Sequence, residues 1–310
     1  MATHVILGAN GAVGREVAGA LRARGHAVRQ ASRSPRPEAP SDVCVAADLR
    51  TAEGAARAVA GADVAYLVAG LPYRADVWRR DWPLLMTHVL AACGQHGVRL
   101  VFFDNVYAYG RVEGAMTEAT PFNPCSHKGE TRARIARQFL EAVGNGSVTG
   151  MIVRSPDFYD PAGAGRTPSF LNAVLFERLL AGRVPQWMGD PDQPHTFAYT
   201  PDLGRALVHL AEQDAAWGRS WHAPVDPTPH TGREFVRLAA ALAGRPDALR
   251  NATRWLLRGM GLFDRALHEQ LEVLYQFEAP YTFSSEAVRT RFGLEGTPYA
   301  QGFRAALVNS

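Results

Sequence analysis

The chain has 310 residues, of which 47% are hydrophobic and 20% charged, and its formal net charge is +3. This is the make-up of a globular protein with one large domain, or one domain and a cap. The mild charge, without any run of like charges, excludes a nucleic-acid or membrane surface and leaves a small molecule as the expected partner.

No apolar stretch approaches the roughly 18 residues of a membrane span. The start of the chain lacks a basic segment followed by an apolar one, so the cytoplasm is the expected location. Cys44, Cys93 and Cys125 have neither zinc nor redox spacing and read as reduced, mostly buried thiols, with no metal site expected.

Short β-branched or apolar runs open the chain and alternate with longer amphipathic ones. Val5–Leu7, Ala27–Gln30, Val43–Ala46, Val64–Val68, Leu100–Phe103 and Thr149–Arg154 read as strands, and Val13–Arg24 and Trp82–Gln95 as helices. Such alternation predicts an α/β fold, a doubly wound parallel sheet covered by helices on both faces. After Ser155-Pro156 the composition changes and Pro and Gly become dense. The expected division is a nucleotide-binding domain over 1–155, with return segments near 195–225, and a smaller cap that binds substrate over 156–310. Within the cap, Phe170–Leu180 reads as a helix and Pro185–Pro194 as a turn-rich loop. Asp202–Glu212 reads as a helix with Asp202 at its N-terminus. Leu262–Phe277 reads as another, with Phe263, Leu267, Leu271 and Leu274 forming an apolar face.

The run Gly8-Ala9-Asn10-Gly11-Ala12-Val13-Gly14 joins the first strand to the first helix. Glycines are needed there for a sharp turn, for close approach of backbone N–H groups to a pyrophosphate and for tight helix packing, while the helix N-terminus favours the anion. At the end of the second strand, NAD sites usually carry an acid for the ribose hydroxyls. This chain has Ser32-Arg33-Ser34, donors and a cation suited to a 2′-phosphate, so NADP(H) is favoured as cofactor and NAD(H) is the alternative. Asp48 and Leu49 after the third strand suit the adenine edge, and Val68-Ala69-Gly70 after the fourth lets backbone lie against the dinucleotide.

Together with Asn105-Val106-Tyr107-Ala108-Tyr109-Gly110, Thr117-Glu118-Ala119-Thr120-Pro121, Arg154-Ser155-Pro156-Asp157-Phe158-Tyr159 and Phe197-Ala198-Tyr199-Thr200-Pro201-Asp202, these residues resemble the NAD(P)-dependent epimerase/dehydratase family, the extended and atypical short-chain dehydrogenase/reductases. The resemblance spans nearly the whole chain and implies a Rossmann domain with a C-terminal substrate cap, Ser155 beside the cofactor, and often a homodimer. The family is known for a Ser/Thr, Tyr, Lys triad in which the Tyr precedes the Lys by four residues. Matching this sequence to that pattern puts Asn105, Lys128 and Arg132 at the three positions, so all three differ. Some atypical members carry the same Lys-Gly-x-x-Arg version.

Among the 33 Lys and Arg residues Lys128 is the only lysine, and arginine, unlike lysine, cannot exchange protons at workable pH. Positions 128 and 132 share a helical face. The resemblance implies that Arg132 holds the ribose, as the family's lysine does; its charge, with partial burial, disfavours a second ammonium beside it. Lys128 then acts as proton donor or base and as a cofactor contact, with Asn105 donating to the substrate oxygen. Tyr107, Tyr109 and His127 are alternative acids. Tyr107, Phe158, Tyr159, Trp187 and His195, with Met188 and Phe197, are candidate substrate contacts. Three functions remain open: an NADP(H)-dependent oxidoreductase acting on a carbonyl or alcohol, a sugar or nucleotide-sugar epimerase or dehydratase, and a non-catalytic NADP(H) sensor.

Overall fold

A computed structural model describes residues 2–161, 169–252 and 265–308. Two compact units divide the chain. The first comprises Met1–Ala108, His127–Ser155 and Leu203–Ala223, and the second Tyr109–Ser126, Pro156–Asp202 and Pro224–Ser310. The sequence division at 155/156 therefore misses an exchange, because Tyr109–Ser126 joins the second unit.

The first unit is built on strands β1 (Thr3–Leu7), β2 (Ala27–Ser32), β3 (Val43–Ala46), β4 (Val64–Leu67) and β5 (Arg99–Asn105). Gly150–Ser155 and Ser220–His222 complete its sheet; they are β7 and β12 in chain order. All seven are parallel, in the order β12-β7-β5-β4-β1-β2-β3. The order reverses between β1 and β4, as in a doubly wound sheet, and such a switch point opens a crevice at the carboxyl ends of the strands.

Helices α1 (Ala12–Ala23), α2 (Ala52–Val59), α3 (Ala75–His96), α4 (His127–Gly144) and α6 (Thr200–Ala211) cover it. α3 packs between α2 and α4. Gly204 of α6 lies so close to the Glu16 backbone of α1 that a Cβ there would collide with it. α3 starts seven residues before the position expected from the sequence and carries Pro83 inside it. Burial of Val77, Trp78, Asp81 and Trp82 overrides the helix-breaking tendency of proline. α2, implied by the alternation of strands and helices but given no bounds from the sequence, is started by Thr51, whose side chain accepts from the Gly54 N–H at 3.1 Å.

The second unit contains β6 (Ala115–Met116), β8 (Phe158–Tyr159), β9 (Gln186–Met188), β10 (Pro194–His195), β11 (Ala198–Tyr199), β13 (His230–Thr231), β14 (Arg250–Ala252) and β15 (Thr282–Phe283). They pair two by two: β6 with β15, β8 with β11, β9 with β14 and β10 with β13. β9 thus lies inside the stretch read as a turn-rich loop. A π-helical turn over Asn172–Phe176 leads into α5 (Glu177–Leu180), and α7 spans Gly232–Leu242. Leu262–Phe277 is not one continuous helix over its described part. A helix over Arg265–Leu271 gives way to a 3-10 turn at Leu274–Phe277; Leu267 and Leu271 pack on the core and Leu274 lies within it. Phe263 falls outside the described residues. Asp202 lies in the first turn of α6, where its carboxylate accepts from the N–H and hydroxyl of Thr297 at 2.6 and 2.8 Å.

Of the three thiols only Cys93 is buried, whereas Cys44 and Cys125 are exposed. Cys44 lies on β3, an outer strand of the sheet, so one flank has no neighbouring strand. Burial pushes the Cys93 thiol up to about 12. Among the described residues no helix is long and apolar enough to cross a membrane.

One histidine of the sheet gives stability a pH dependence. His4 is buried with Nδ1 3.0 Å from the Tyr66 hydroxyl and its ring 4.3 Å from that of His26. Burial, and then the His26 charge, lower its pKa from 6.5 to about 4, against the opposing influence of Asp63 and Glu212. The unfolded chain thus binds more protons between these values, and the stability from neutral His4 is present above about 6.5 and lost as pH falls towards about 4. Urea unfolding midpoints should fall over that range, and more steeply for the native protein than for His4→Gln.

Candidate active site

The glycine turn sits where β1 meets α1. Gly8 has φ +99°, and a Cβ on it would overlap the Ala69 backbone, so the turn lies directly against the end of β4. At Gly14 a Cβ would come within 3.3 Å of the Gly8 carbonyl oxygen and 3.5 Å of Val68 Cγ2, which accounts for the close seating of α1. Ala12 and Val13 form the first turn of α1. Its N-cap, Gly11, offers no side-chain oxygen, and the first turn contains no acid. The leading N–H groups of this helix are consequently available to an anion.

A cavity of about 590 Å³ opens at this turn. Gly8, Asn10, Gly11, Ser32, Arg33, Asp48, Leu49, Ala69 and Gly70 line it, with Arg50 and Leu71 among the residues that complete it. Most of the expected cofactor residues therefore converge on one volume within the first unit. Ala12, Val13, Gly14 and Val68 are outside its lining, as are Lys128, Arg132 and Ser155.

Asn10 is the one non-glycine residue with positive φ, at 73°, among those described. Its amide donates to Gln30 Oε1 at 3.2 Å and to the Arg36 carbonyl at 2.8 Å, and its oxygen accepts from the Arg36 N–H at 3.0 Å. These bonds fasten the segment after β2 to the glycine turn. Asp48 is already engaged by Arg50, at 2.7 Å between Oδ2 and Nη2, and the Arg50 hydrogen bonds hold its carboxyl at about 2. Arg50 also lies 3.3 Å from Asp81, so its charge is spent on these two carboxylates and Arg33 supplies the net positive charge of the lining, an arrangement that suits a phosphate of a dinucleotide.

The three positions of the altered triad lie at the ends of β5 and α4. Lys128 is fully buried, and its Nζ lies over the Tyr73 ring, 4.4 Å from the centroid. Arg132, 4% exposed, is gripped by Asp104 of β5 at 2.5 Å from Nη2 and 2.7 Å from Nε. Its guanidinium is also packed among the rings of Trp82, Phe102 and Trp78, at 4.5, 5.3 and 5.7 Å. The other oxygen of Asp104 lies 3.4 Å from Arg154 Nε on β7. The charge expected of Arg132 towards Lys128 is therefore offset by Asp104, which the sequence reading missed because nothing about a lone Asp in a strand marks a partner 28 residues away.

Asn105 accepts the Tyr107 N–H on Oδ1 at 3.1 Å, which leaves its NH₂ as the donating end. Ser155 is paired in register with Asn105 and buried. The Tyr107 hydroxyl is 3.2 Å from that of Tyr73, another residue the sequence reading passed over. His127 is exposed and 3.5 Å from Glu130. Tyr109 belongs to the second unit and is buried against Phe122.

The candidate substrate contacts from the second unit fare differently. Tyr159 and Trp187 are core residues: Gly302 and Gly232, respectively, are packed so tightly against them that a Cβ on either would collide. Correcting the expectation, their rings are spent on packing and line no open surface. His195 is 2% exposed and stacked between Phe277 and Tyr281, with Nε2 3.4 Å from Asp157. Phe158, in β8, is half-buried. Met188 packs against the same core and Phe197 lies in it.

A parallel doubly wound sheet, with a glycine turn and a basic cavity at its switch point, defines an α/β protein of the dinucleotide-binding class. The model of the NAD dependent epimerase/dehydratase family matches residues 4–221. The chain belongs to the NAD-dependent epimerase/dehydratase family, a family of enzymes. A 3-beta-hydroxysteroid dehydrogenase from Mycolicibacterium neoaurum is 26% identical over 262 residues, 78% of this chain and 70% of that one. In fold the chain is similar to a Thermus thermophilus UDP-glucose 4-epimerase solved with NAD, with a TM-score of 0.78 at 19% identity over 98% of this chain and 97% of that one. It is similar too to a dTDP-glucose 4,6-dehydratase from Streptomyces venezuelae solved with NAD, with a TM-score of 0.77 at 18% identity over 98% and 95%.

Asp104→Asn should lower unfolding free energy by about 3–5 kcal/mol, since it leaves Arg132 buried without its counter-charge. Urea titration followed by circular dichroism measures this, and replacing Arg132 by Leu in the same chain should recover part of the loss.

Proposed function

We propose that the protein is an NADP(H)-dependent oxidoreductase of the atypical short-chain dehydrogenase/reductase type, interconverting a carbonyl and an alcohol on a small molecule. The observation that carries the cofactor choice is the charge of the cavity at the end of β2. Ser32, Arg33 and Ser34 all line it, and its one carboxylate, Asp48, is held by Arg50. An NAD site would present a free acid to the ribose hydroxyls at this place.

In this reading Gly8, Gly11 and the uncapped start of α1 hold the pyrophosphate, Arg33 with the two serines holds the 2′-phosphate, and Leu49 lies against the adenine. Ala69 and Gly70 let the backbone run alongside. When bound, the cofactor supplies or accepts a hydride. Asn105 orients the substrate oxygen with its NH₂. The likeness to a hydroxysteroid dehydrogenase supports an alcohol or ketone as the reacting group.

Arg33→Ala should weaken NADPH binding about 10-fold or more, the loss of a charge-assisted phosphate contact, and change NADH binding less than about threefold. Fluorescence titration of both cofactors measures it, and equal losses would remove Arg33 from the phosphate site. Turnover is tested by following NADPH absorbance with a panel of aldehydes, ketones and hydroxysteroid-derived ketones. An epimerase or dehydratase would convert its sugar without net cofactor consumption, and a sensor would bind NADPH tightly and consume none.

A further inference from the structure

One group of chemistry-bearing side chains in the first unit is joined through the chain to the cavity at the glycine turn without lining it. Ala69, Gly70 and Leu71 line the cavity, and Tyr73 follows two residues later. Its hydroxyl is 3.2 Å from the Tyr107 hydroxyl, and the Lys128 amine lies 4.4 Å from its ring centroid. Three separate segments meet here: the loop after β4, the turn after β5 and the first turn of α4. Trp78 holds both phenols in place, edge-on to Tyr73 at 5.5 Å and stacked on Tyr107 at 6.2 Å.

Accessibility falls in order through the group. Tyr73 is 37% exposed, Tyr107 9% and Lys128 0%. A substrate arriving from solvent meets the Tyr73 phenol, with the lysine behind it. The face of a phenol ring attracts a cation, and the attraction grows when the ring carries the negative charge left by a departed proton. Lys128 is therefore placed to favour proton release by Tyr73 without touching the substrate itself.

We propose that Tyr73 is the catalytic proton donor, that Tyr107 returns a proton to it, and that Lys128 is a positioning residue acting through the Tyr73 ring. The proposal rests on the carbonyl-reductase reading above. The carbonyl carbon gains a C–H bond from the hydride that the bound cofactor supplies, leaving NADP⁺, and the C=O π pair moves to oxygen. That oxygen forms an O–H bond with the proton of Tyr73. The Tyr73 O–H electron pair stays as a phenolate, which takes the Tyr107 hydroxyl proton, and the Tyr107 phenolate takes a proton from water, which leaves as hydroxide. Alcohol oxidation runs the same steps in reverse. The tyrosine that the family carries on its catalytic helix is thus replaced by one from the loop after β4, while the lysine stays on that helix, at the tyrosine's position.

The test combines kinetics with a titration that needs no turnover. Tyr73→Phe should lower kcat for carbonyl reduction at least about 100-fold, the usual contribution of a general acid, with NADPH affinity within about twofold. Tyr107→Phe should lower kcat less, and Lys128→Met should move the alkaline limb of the pH profile upwards. In the cofactor-free protein, tyrosinate absorbance should show one phenol that ionises before the others, absent from Tyr73→Phe and moved to higher pH in Lys128→Met. Native-like kcat and pH profile in Tyr73→Phe would overturn the assignment. So would an unchanged tyrosinate titration in a folded Lys128→Met that has lost activity, which would make Lys128 itself the acid. If the wild type consumes NADPH with no carbonyl compound, the functional reading fails, while the titration still decides whether Tyr73 is coupled to Lys128.

Discussion

Two guanidinium groups can lie in the middle of an apolar sheet here because the carboxylate of Asp104 lies between them. Asp104, Arg132 and Arg154 are each at least 96% buried and come from β5, α4 and β7. The attraction offsets a desolvation cost of several kcal/mol per ion, and it does so only in one geometry. That geometry fixes how α4 lies on the sheet. It also sets the depth of Lys128, one helical turn before Arg132 on the same face. The aromatic wall of Trp78, Trp82 and Phe102 completes the arrangement, since a planar, weakly hydrated guanidinium tolerates ring faces better than an ammonium would.

A buried pair of this kind changes what the altered triad means. With Arg132 committed to Asp104 and the rings, the side chain at the family's lysine position serves the architecture of α4. The lysine has moved one turn earlier along the helix, and its ammonium lies over the ring of a phenol from a different loop. Acid-base chemistry depends on which groups meet in space, so the parts of a triad can be redistributed over three segments provided the sheet holds those segments in register.

The cofactor end obeys a different logic, based on backbone and charge. Gly8 must approach Ala69 too closely for any side chain, and Asn10 takes up an unusual backbone conformation that its short polar side chain tolerates. The Asn10 bonds to Arg36 then tie the basic segment after β2 to the glycine turn. The two ends of the cavity are in this way fastened to each other, while Arg50 neutralises the Asp48 carboxylate in its wall.

The sequence alone determined the parallel α/β sheet, the glycine turn and the basic tip of β2. Each depends on residues within a few positions of one another: alternation of apolar runs, a positive φ at Gly8, the absence of an acid beside Arg33. It also singled out Lys128 by its rarity. Only the tertiary structure decided the start of α3 through Pro83, the transfer of Tyr109–Ser126 to the second unit, and the packing roles of Tyr159 and Trp187. It alone paired Arg132 with Asp104, 28 residues away, and set Tyr73 between Tyr107 and Lys128. These are contacts between side chains remote in sequence, fixed by which strands are neighbours and how helices settle on them, and no local pattern of residues encodes that choice.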